Sequence, residues 1–199
     1  MDPLEAEMTP KKRQLRDIVT TFGLEERPKA IELASGGMSK FFVDAKQALA
    51  NGEHLRVACE LIIELADSYN ADWNAVGGMT MGADPLAHGI ALITGRDWFT
   101  VRKEEKGRGS NKLIEAVSMS SDTKVLLIDD VVTMGGSIQR AYQAIVNDGA
   151  TVVLATTLVD RGITARGFFE EVEVPYEPLL TYKSLGIPPV VPLETSIAS

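Results

Sequence analysis

Val125-Leu126-Leu127-Ile128-Asp129-Asp130-Val131-Val132-Thr133-Met134-Gly135-Gly136-Ser137 carries three kinds of signal in one run. Its first four residues are unbroken apolar sequence, the pattern of a strand buried on both faces in a parallel sheet covered by helices. Two carboxylates follow where that strand is expected to end, then a Thr, two glycines and a Ser. From Ser137 onward, Ile138, Ala141, Tyr142 and Ile145 fall on one helical face. The order is strand, acidic turn, glycine loop, helix.

That order has a chemical meaning. In an open parallel sheet, ligands bind at the carboxyl ends of the strands, and a glycine loop entering a helix offers bare amides and the positive end of a dipole. Such a place takes an anion, here a phosphate. Asp129 and Asp130 do not bind phosphate, but they accept hydrogen bonds from a vicinal diol. Together these features describe a pocket for a ribose 5-phosphate. A nucleotide-hydrolysing motor would need GxxxxGK[ST], which does not occur, and no GxGxxG follows an early strand as a dinucleotide site requires.

Working outward, the composition bounds the answer. The 199 residues, 45% of them hydrophobic, are about the size of one domain with a substantial core. Twenty basic against 28 acidic side chains give a net charge of −8, which argues against a general nucleic-acid or anionic-membrane surface. No apolar run approaches a membrane span, and the acidic, polar N-terminus does not read as a signal peptide, so a cytoplasmic protein is expected. The single Cys59 has no partner for an internal disulfide and reads as a core residue.

Before the motif, residues 1–10 are expected to lack regular structure, and 11–22 read as a helix with Leu15, Ile18, Val19 and Phe22 on one face. Residues 31–45 read as two short strands joined by a Ser35-Gly36-Gly37 turn, a hairpin carrying Phe41 and Phe42. Residues 52–69 form an amphipathic helix, 72–78 the first parallel strand, and Met79-Thr80-Met81-Gly82-Ala83-Asp84-Pro85 a turn into the next helix, with glycines that let a diphosphate approach the backbone. Two histidines, His54 and His88, with no cysteine or carboxylate at ligand spacing, make a structural metal site unlikely on spacing alone.

The strand predicted at 98–101 runs into a basic stretch in which Arg102, Lys103, Lys106 and Arg108 fall within seven positions, interleaved with Gly107 and Gly109. A cationic loop is the natural description. Beyond the motif, 151–159 is a further buried strand with Asp160-Arg161 at its carboxyl end, where a guanidinium is suited to a planar carboxylate. The tail over 168–185 suits an edge strand followed by a short final helix, packed near the hairpin.

With these residues in view, the run from Val125 to Ser137 resembles the phosphoribosyl diphosphate (PRPP) signature of type I phosphoribosyltransferases, and within that group the chain is most similar to the orotate phosphoribosyltransferases. The resemblance covers residues 31–185. It implies an α/β fold with a central parallel sheet flanked by helices, one domain over 1–199, with a hood from about 25–45 plus the C-terminal segment and a core of about 50–165. It implies PRPP binding by Asp129, Asp130, Val131, Val132, Thr133, Met134, Gly135, Gly136 and Ser137 with Arg102, Lys103 and Lys106, and orotate binding by Thr133, Arg161, Phe41 and Phe42.

The resemblance assigns catalysis to Lys106, Arg102, Lys103 and Arg108 of the basic loop together with Asp129 and Asp130. Mg²⁺ is the implied cofactor, held mainly by PRPP, with Asp129 or Asp130 as the protein groups within range. A homodimer is implied, with the basic loop serving the neighbouring subunit, and neither nucleic acid nor membrane is an expected partner. Three positions depart from the pattern. Arg108 stands where relatives have His, Ala34 where many have Lys, and Gly82-Ala83-Asp84-Pro85 where other branches have a Lys-Gly pair. These keep two alternatives open: a transferase for uracil or a purine, and a catalytically weak PRPP-binding regulator.

Overall fold

The computed structural model describes residues 8–33, 37–104 and 113–191. Helix α1 (Pro10–Phe22) begins where Thr9 Oγ1 accepts the Lys12 N–H and Pro10 occupies the first turn, and it buries Leu15, Ile18 and Val19. Strands β1 (Leu24–Glu32) and β2 (Met38–Val43) form an antiparallel hairpin, a two-stranded sheet with a register shift between Glu26 and Ile31. The hairpin's first strand begins well before residue 31, where its sequence suggested. Glu25, Glu26, Arg27 and Lys29 show no apolar alternation because no residue of β1 is buried; backbone pairing to Phe41 and Phe42 makes it a strand.

Asp44 caps the short α2 (Ala45–Ala48) by accepting the Gln47 N–H, and Asn51 caps α3 (Gly52–Ser68) by accepting that of Glu53. The inner face of α3 is Ala58, Cys59, Leu61, Ile62 and Ala66. Cys59 is fully buried, and burial, with the Glu60 charge adding to it, pushes its thiol up to about 12, as befits a core group.

Six strands make the main sheet: β3 (Ala75–Met79), β4 (Asp97–Val101), β5 (Ile114–Glu115), β6 (Lys124–Val132), β7 (Thr151–Asp160) and β8 (Leu180–Thr181). Their spatial order is β5-β4-β3-β6-β7-β8, with β5 antiparallel and every other pairing parallel. Helices α4 (Asp84–Thr94), α5 (Gly136–Asn147) and α6 (Ala165–Glu171) follow β3, β6 and β7.

Val125, Leu126, Leu127 and Ile128 are all at 0% exposure, and alternation divides them between two cores. Leu126 and Ile128 join Val76, Leu15, Ile62 and Leu86 under α1, α3 and α4. Val125 and Leu127 join Ala75, Ile138, Ile145 and Phe169 under α5 and α6. Each such side chain contributes about 1.5–3 kcal/mol of burial, which is why this strand is the rigid centre of the molecule.

The apolar strand was expected to end before the carboxylates. It runs through Asp129 and Asp130 to Val132, because β7 continues beside it, pairing Asp129 with Thr157 and Val132 with Asp160. The tail also differs in order: its helix, α6, precedes the two-residue edge strand β8, and no helix follows among the described residues. After β8 there is one hydrogen-bonded turn, Leu185 N–H to Thr181 O and Ile187 N–H to Tyr182 O, closed by Gly186 at φ 66° and by Pro188. The tail does reach the hairpin, since a Cβ on Gly37 would lie 2.6 Å from Val190 Cγ1. Among the described residues no helix is long and apolar enough to cross a membrane.

Candidate active site

A cavity of about 340 Å³ opens at the carboxyl ends of β3, β6 and β7. Asp129, Asp130, Val131, Thr133 and Ser137 form its floor; Met79, Thr80, Met81 and Gly82 one side; Leu33, Phe42 and Val43 of the hairpin region another. Asp44 and Lys46 line it from the start of α2, and Lys103 and Arg161 complete it.

The floor is built by close approach. Asp129 is 4% exposed, and one of its carboxylate oxygens accepts the Asp130 N–H at 3.0 Å. Asp130 accepts the Val131 N–H at 2.8 Å, and its carboxylate occupies space that a side chain at Gly82 would fill, since a Cβ there would lie 2.4 Å from Oδ1. Burial first, and then the neighbouring Asp130 charge, hold the Asp129 carboxyl well above the ordinary carboxylate range, against the pull of the Asp130 amide and of Lys103. The two carboxylates are therefore unequal. Asp129 is set deep in the sheet, whereas Asp130 is partly open to the cavity.

Gly135 adopts φ 79° at the N-cap of α5, and no side chain caps that helix. Its first amides are left for an anion. The loop leading there is fastened to the residues after β7. Arg161 N–H donates to Val132 O at 2.8 Å, Thr164 Oγ1 donates to Met134 O at 2.9 Å, and Gly162 sits where any Cβ would meet Thr133 O at 1.7 Å.

Arg161 is 1% exposed. Its Nη2 donates to Ser39 Oγ at 2.9 Å and its Nε has no partner, while no carboxylate among the described residues forms an ion pair with it. Burial lowers its pKa, a measure of how poorly the surroundings compensate the charge. The adjacent Asp160 does not pair with it: Asp160 accepts the Gly162 N–H at 2.8 Å and the Tyr176 hydroxyl at 2.9 Å. Desolvation raises the Asp160 pKa, and those two donors oppose the rise.

Of the residues singled out in the sequence, this cavity gathers Asp129, Asp130, Val131, Thr133, Ser137, Lys103, Arg161 and Phe42. Phe41 is a correction. Neighbours on a strand face opposite ways, and Phe41 packs against the core while Phe42 faces the cavity, with the Arg27 guanidinium 5.1 Å from its ring. The Val132 side chain likewise lies in the core. Arg102 lines a neighbouring cavity with Lys103 and pairs with Glu115 at 3.0 Å. Asp84 is occupied with the turn, accepting the hydroxyls of Thr80 at 2.7 Å and Thr100 at 2.8 Å; the Thr80–Met81 peptide within that turn is cis. Lys106, Arg108 and Ala34 lie outside the described residues.

Ser39, Lys46 and Tyr176 were not singled out by their sequence. The Ser39–Arg161 bond spans 122 positions, so no local pattern announces it. Among the described residues no group of three or more His, Cys, Asp or Glu is placed to hold a metal ion. A protein-built metal cage is thus absent from the described part of the site, whose strand-end carboxylates are Asp129 and Asp130.

A phosphoribosyl transferase domain model matches residues 44–166. Orotate phosphoribosyltransferase of Pyrococcus horikoshii is 35% identical over 159 residues, which span 78% of this chain and 85% of that protein. The crystal structure of Mycobacterium tuberculosis H37Rv orotate phosphoribosyltransferase in complex with Fe(III) dicitrate superposes with a TM-score of 0.77 at 31% identity, covering 89% of this chain and all of that one. The same enzyme in complex with PRPP gives a TM-score of 0.73 at 29% identity, again over 89% of this chain. Relatives matched over most of both lengths, on a fold that sets an uncapped helix end beside two strand-end carboxylates, place this chain in the orotate phosphoribosyltransferase family of type I phosphoribosyltransferases.

Proposed function

We propose that the protein transfers the 5-phosphoribosyl group from PRPP to orotate, giving orotidine 5′-monophosphate and diphosphate. One observation carries the choice of orotate: a buried guanidinium without a counter-charge among the described residues opens onto the same cavity as the strand-end carboxylates. A planar carboxylate supplies what Arg161 lacks, in a forked geometry suited to it.

In this reading the 5-phosphate lies on the amides and hydroxyls from Thr133 to Ser137, the ribose diol on Asp129 and Asp130, and the orotate carboxylate on Arg161, with Phe42 against the ring. A ring nitrogen of orotate bonds to C1 of the ribose as the bond from C1 to the diphosphate oxygen breaks, and the diphosphate leaves with that electron pair and takes up the proton that the ring nitrogen loses. The sugar is cation-like between those events, so the protein aligns the partners and places charge rather than forming covalent intermediates. Asp129 and Asp130 lie where positive charge develops. Lys103, Arg102, Lys106 and Arg108 neutralise the leaving diphosphate.

Mg²⁺, when bound, would neutralise charge on the diphosphate, and Asp129 or Asp130 would be the residues to hold it, with no cage among the described residues. The reading includes a hood, about 25–45 with the C-terminal segment, closing on a core of about 50–165. It also includes a homodimer in which the basic loop serves the neighbouring subunit, and a cytoplasmic location. The family resemblance supports these three parts.

A UV assay with PRPP, Mg²⁺ and orotate, run beside uracil, hypoxanthine and adenine, tests the proposal. Orotate alone should be consumed. Consumption of uracil instead removes the role given to Arg161, and PRPP binding without turnover of any base makes the protein a regulator. Light scattering of the purified protein tests the dimer.

A further inference from the structure

We propose that Ser39 is a positioning residue for the orotate carboxylate: it ties the hairpin to Arg161 and aims the guanidinium without neutralising it. The inference rests on the function proposed above and assigns a task to a residue outside the PRPP signature.

Arg161's backbone is held on both sides, its N–H by Val132 O at 2.8 Å and its carbonyl by the Val190 N–H at 2.7 Å. That fixes the Cα but not the long side chain, which has several rotatable bonds still to order. The hydrogen bond from Nη2 to Ser39 Oγ, at 2.9 Å, supplies the missing constraint, and Nε is unpartnered. Both residues are buried, at 1% and 8% exposure, so the bond is shielded from solvent.

The chemistry of the partner matters. A carboxylate there would hold the guanidinium more tightly but cancel the charge that the ligand is to meet. The nearest carboxylate in sequence, Asp160, is kept out of the contact by Tyr176 and the Gly162 amide. An alcohol accepts one N–H and leaves the positive charge in place. Ser39 is itself pinned, because its Oγ also accepts the Phe41 N–H at 3.0 Å. The same short strand carries Phe42 and Val43 into the cavity wall, so one bond sets the base-facing wall and the cation in a common register.

The test is steady-state kinetics of Ser39→Ala and Ser39→Thr, together with hydrogen–deuterium exchange of the hairpin amides in Ser39→Ala, Arg161→Ala and the double variant. Loss of one hydrogen bond to a charged group predicts a rise of about tenfold in the KM for orotate in Ser39→Ala, with the KM for PRPP within about twofold. Ser39→Thr, which keeps the hydroxyl, should restore the orotate KM. Hairpin exchange should quicken in both single variants and no further in the double one. An unchanged orotate KM, or a parallel rise for PRPP and orotate, overturns the positioning role. Should the native protein consume no orotate at all, the substrate reading is what fails; the exchange data then decide the link alone, and unchanged exchange in Ser39→Ala overturns it.

Discussion

The floor of the cavity and the hairpin that walls it are held by different means. Asp129 to Ser137 stand on β6, whose apolar run from Val125 to Ile128 is fully buried between two helical layers, and on α5, whose inner face is Ile138, Ala141 and Ile145. The hairpin is a separate two-stranded sheet; β1 buries no residue and β2 buries only Ser39 and Val43. A two-stranded hairpin has little stability of its own and depends on docking. In the proposed reading the phosphoribosyl half of the site therefore comes with the core, whereas the base half is assembled between core and hairpin, with Arg161 as the joint.

If that division holds, changes at the joint should affect the base and spare the sugar phosphate. Arg161→Ala should lower kcat/KM for orotate about a thousandfold, the scale of losing one partner of a buried charge interaction, with PRPP affinity changed by less than about threefold. Equal loss of PRPP binding by calorimetry would show that the two halves are one. Next in size, Lys106→Ala should lower kcat about a hundredfold while leaving both KM values nearly unchanged, because the role proposed for this cation is on the charge of the departing diphosphate. A change in KM alone would remove Lys106 from the transition state.

Gly162→Ala tests the floor. A methyl group 1.7 Å from Thr133 O forces the signature loop to move, so we expect weaker PRPP binding and a Tm lower by roughly 3–10 °C on the usual cost of overpacking. Normal PRPP affinity would show that the loop does not depend on this contact.

Asp129 gives a pH-dependent prediction of the opposite sign. Its folded pKa is raised above the unfolded one, so its contribution to stability is fully present below the unfolded value of about 3.9 and is lost as pH rises through the folded pKa. Asp129→Asn should therefore be more stable than the native protein near neutral pH, with the difference shrinking toward pH 4, and should be inactive. Thermal melts across that range check it. The smallest effect is expected from Tyr176→Phe, which removes one donor to Asp160 at about 1 kcal/mol and should raise the orotate KM by about twofold to fivefold. Each of the five measurements sharpens or breaks the separation of floor from hairpin.

Much of the floor was legible because it is local. An apolar strand, two carboxylates, a glycine loop and an amphipathic helix follow one another, and each leaves its own period or composition in the chain. Arg161 was legible for the same reason, as the first residue beyond a buried strand. The limits of β6 were less so: whether Asp129 and Asp130 belong to the strand depends on Thr157 and Val159 of β7 lying alongside. The first half of the hairpin was invisible, since a strand that buries nothing shows no alternation. The opposite facing of Phe41 and Phe42 follows from strand geometry, but which of them meets the cavity does not.

By itself, then, the sequence determined the parallel α/β core, the glycine loop with its paired acids, and the kinship with orotate phosphoribosyltransferases, because those properties are written in neighbouring residues. The tertiary structure alone decided that Arg161 is buried without a counter-charge among the described residues, that Gly82 leaves room for Asp130, and that Ser39 reaches the guanidinium. Contacts across 122 positions leave no local trace in composition or period; they exist only once the sheet has placed its strand ends together and the hairpin has packed beside them.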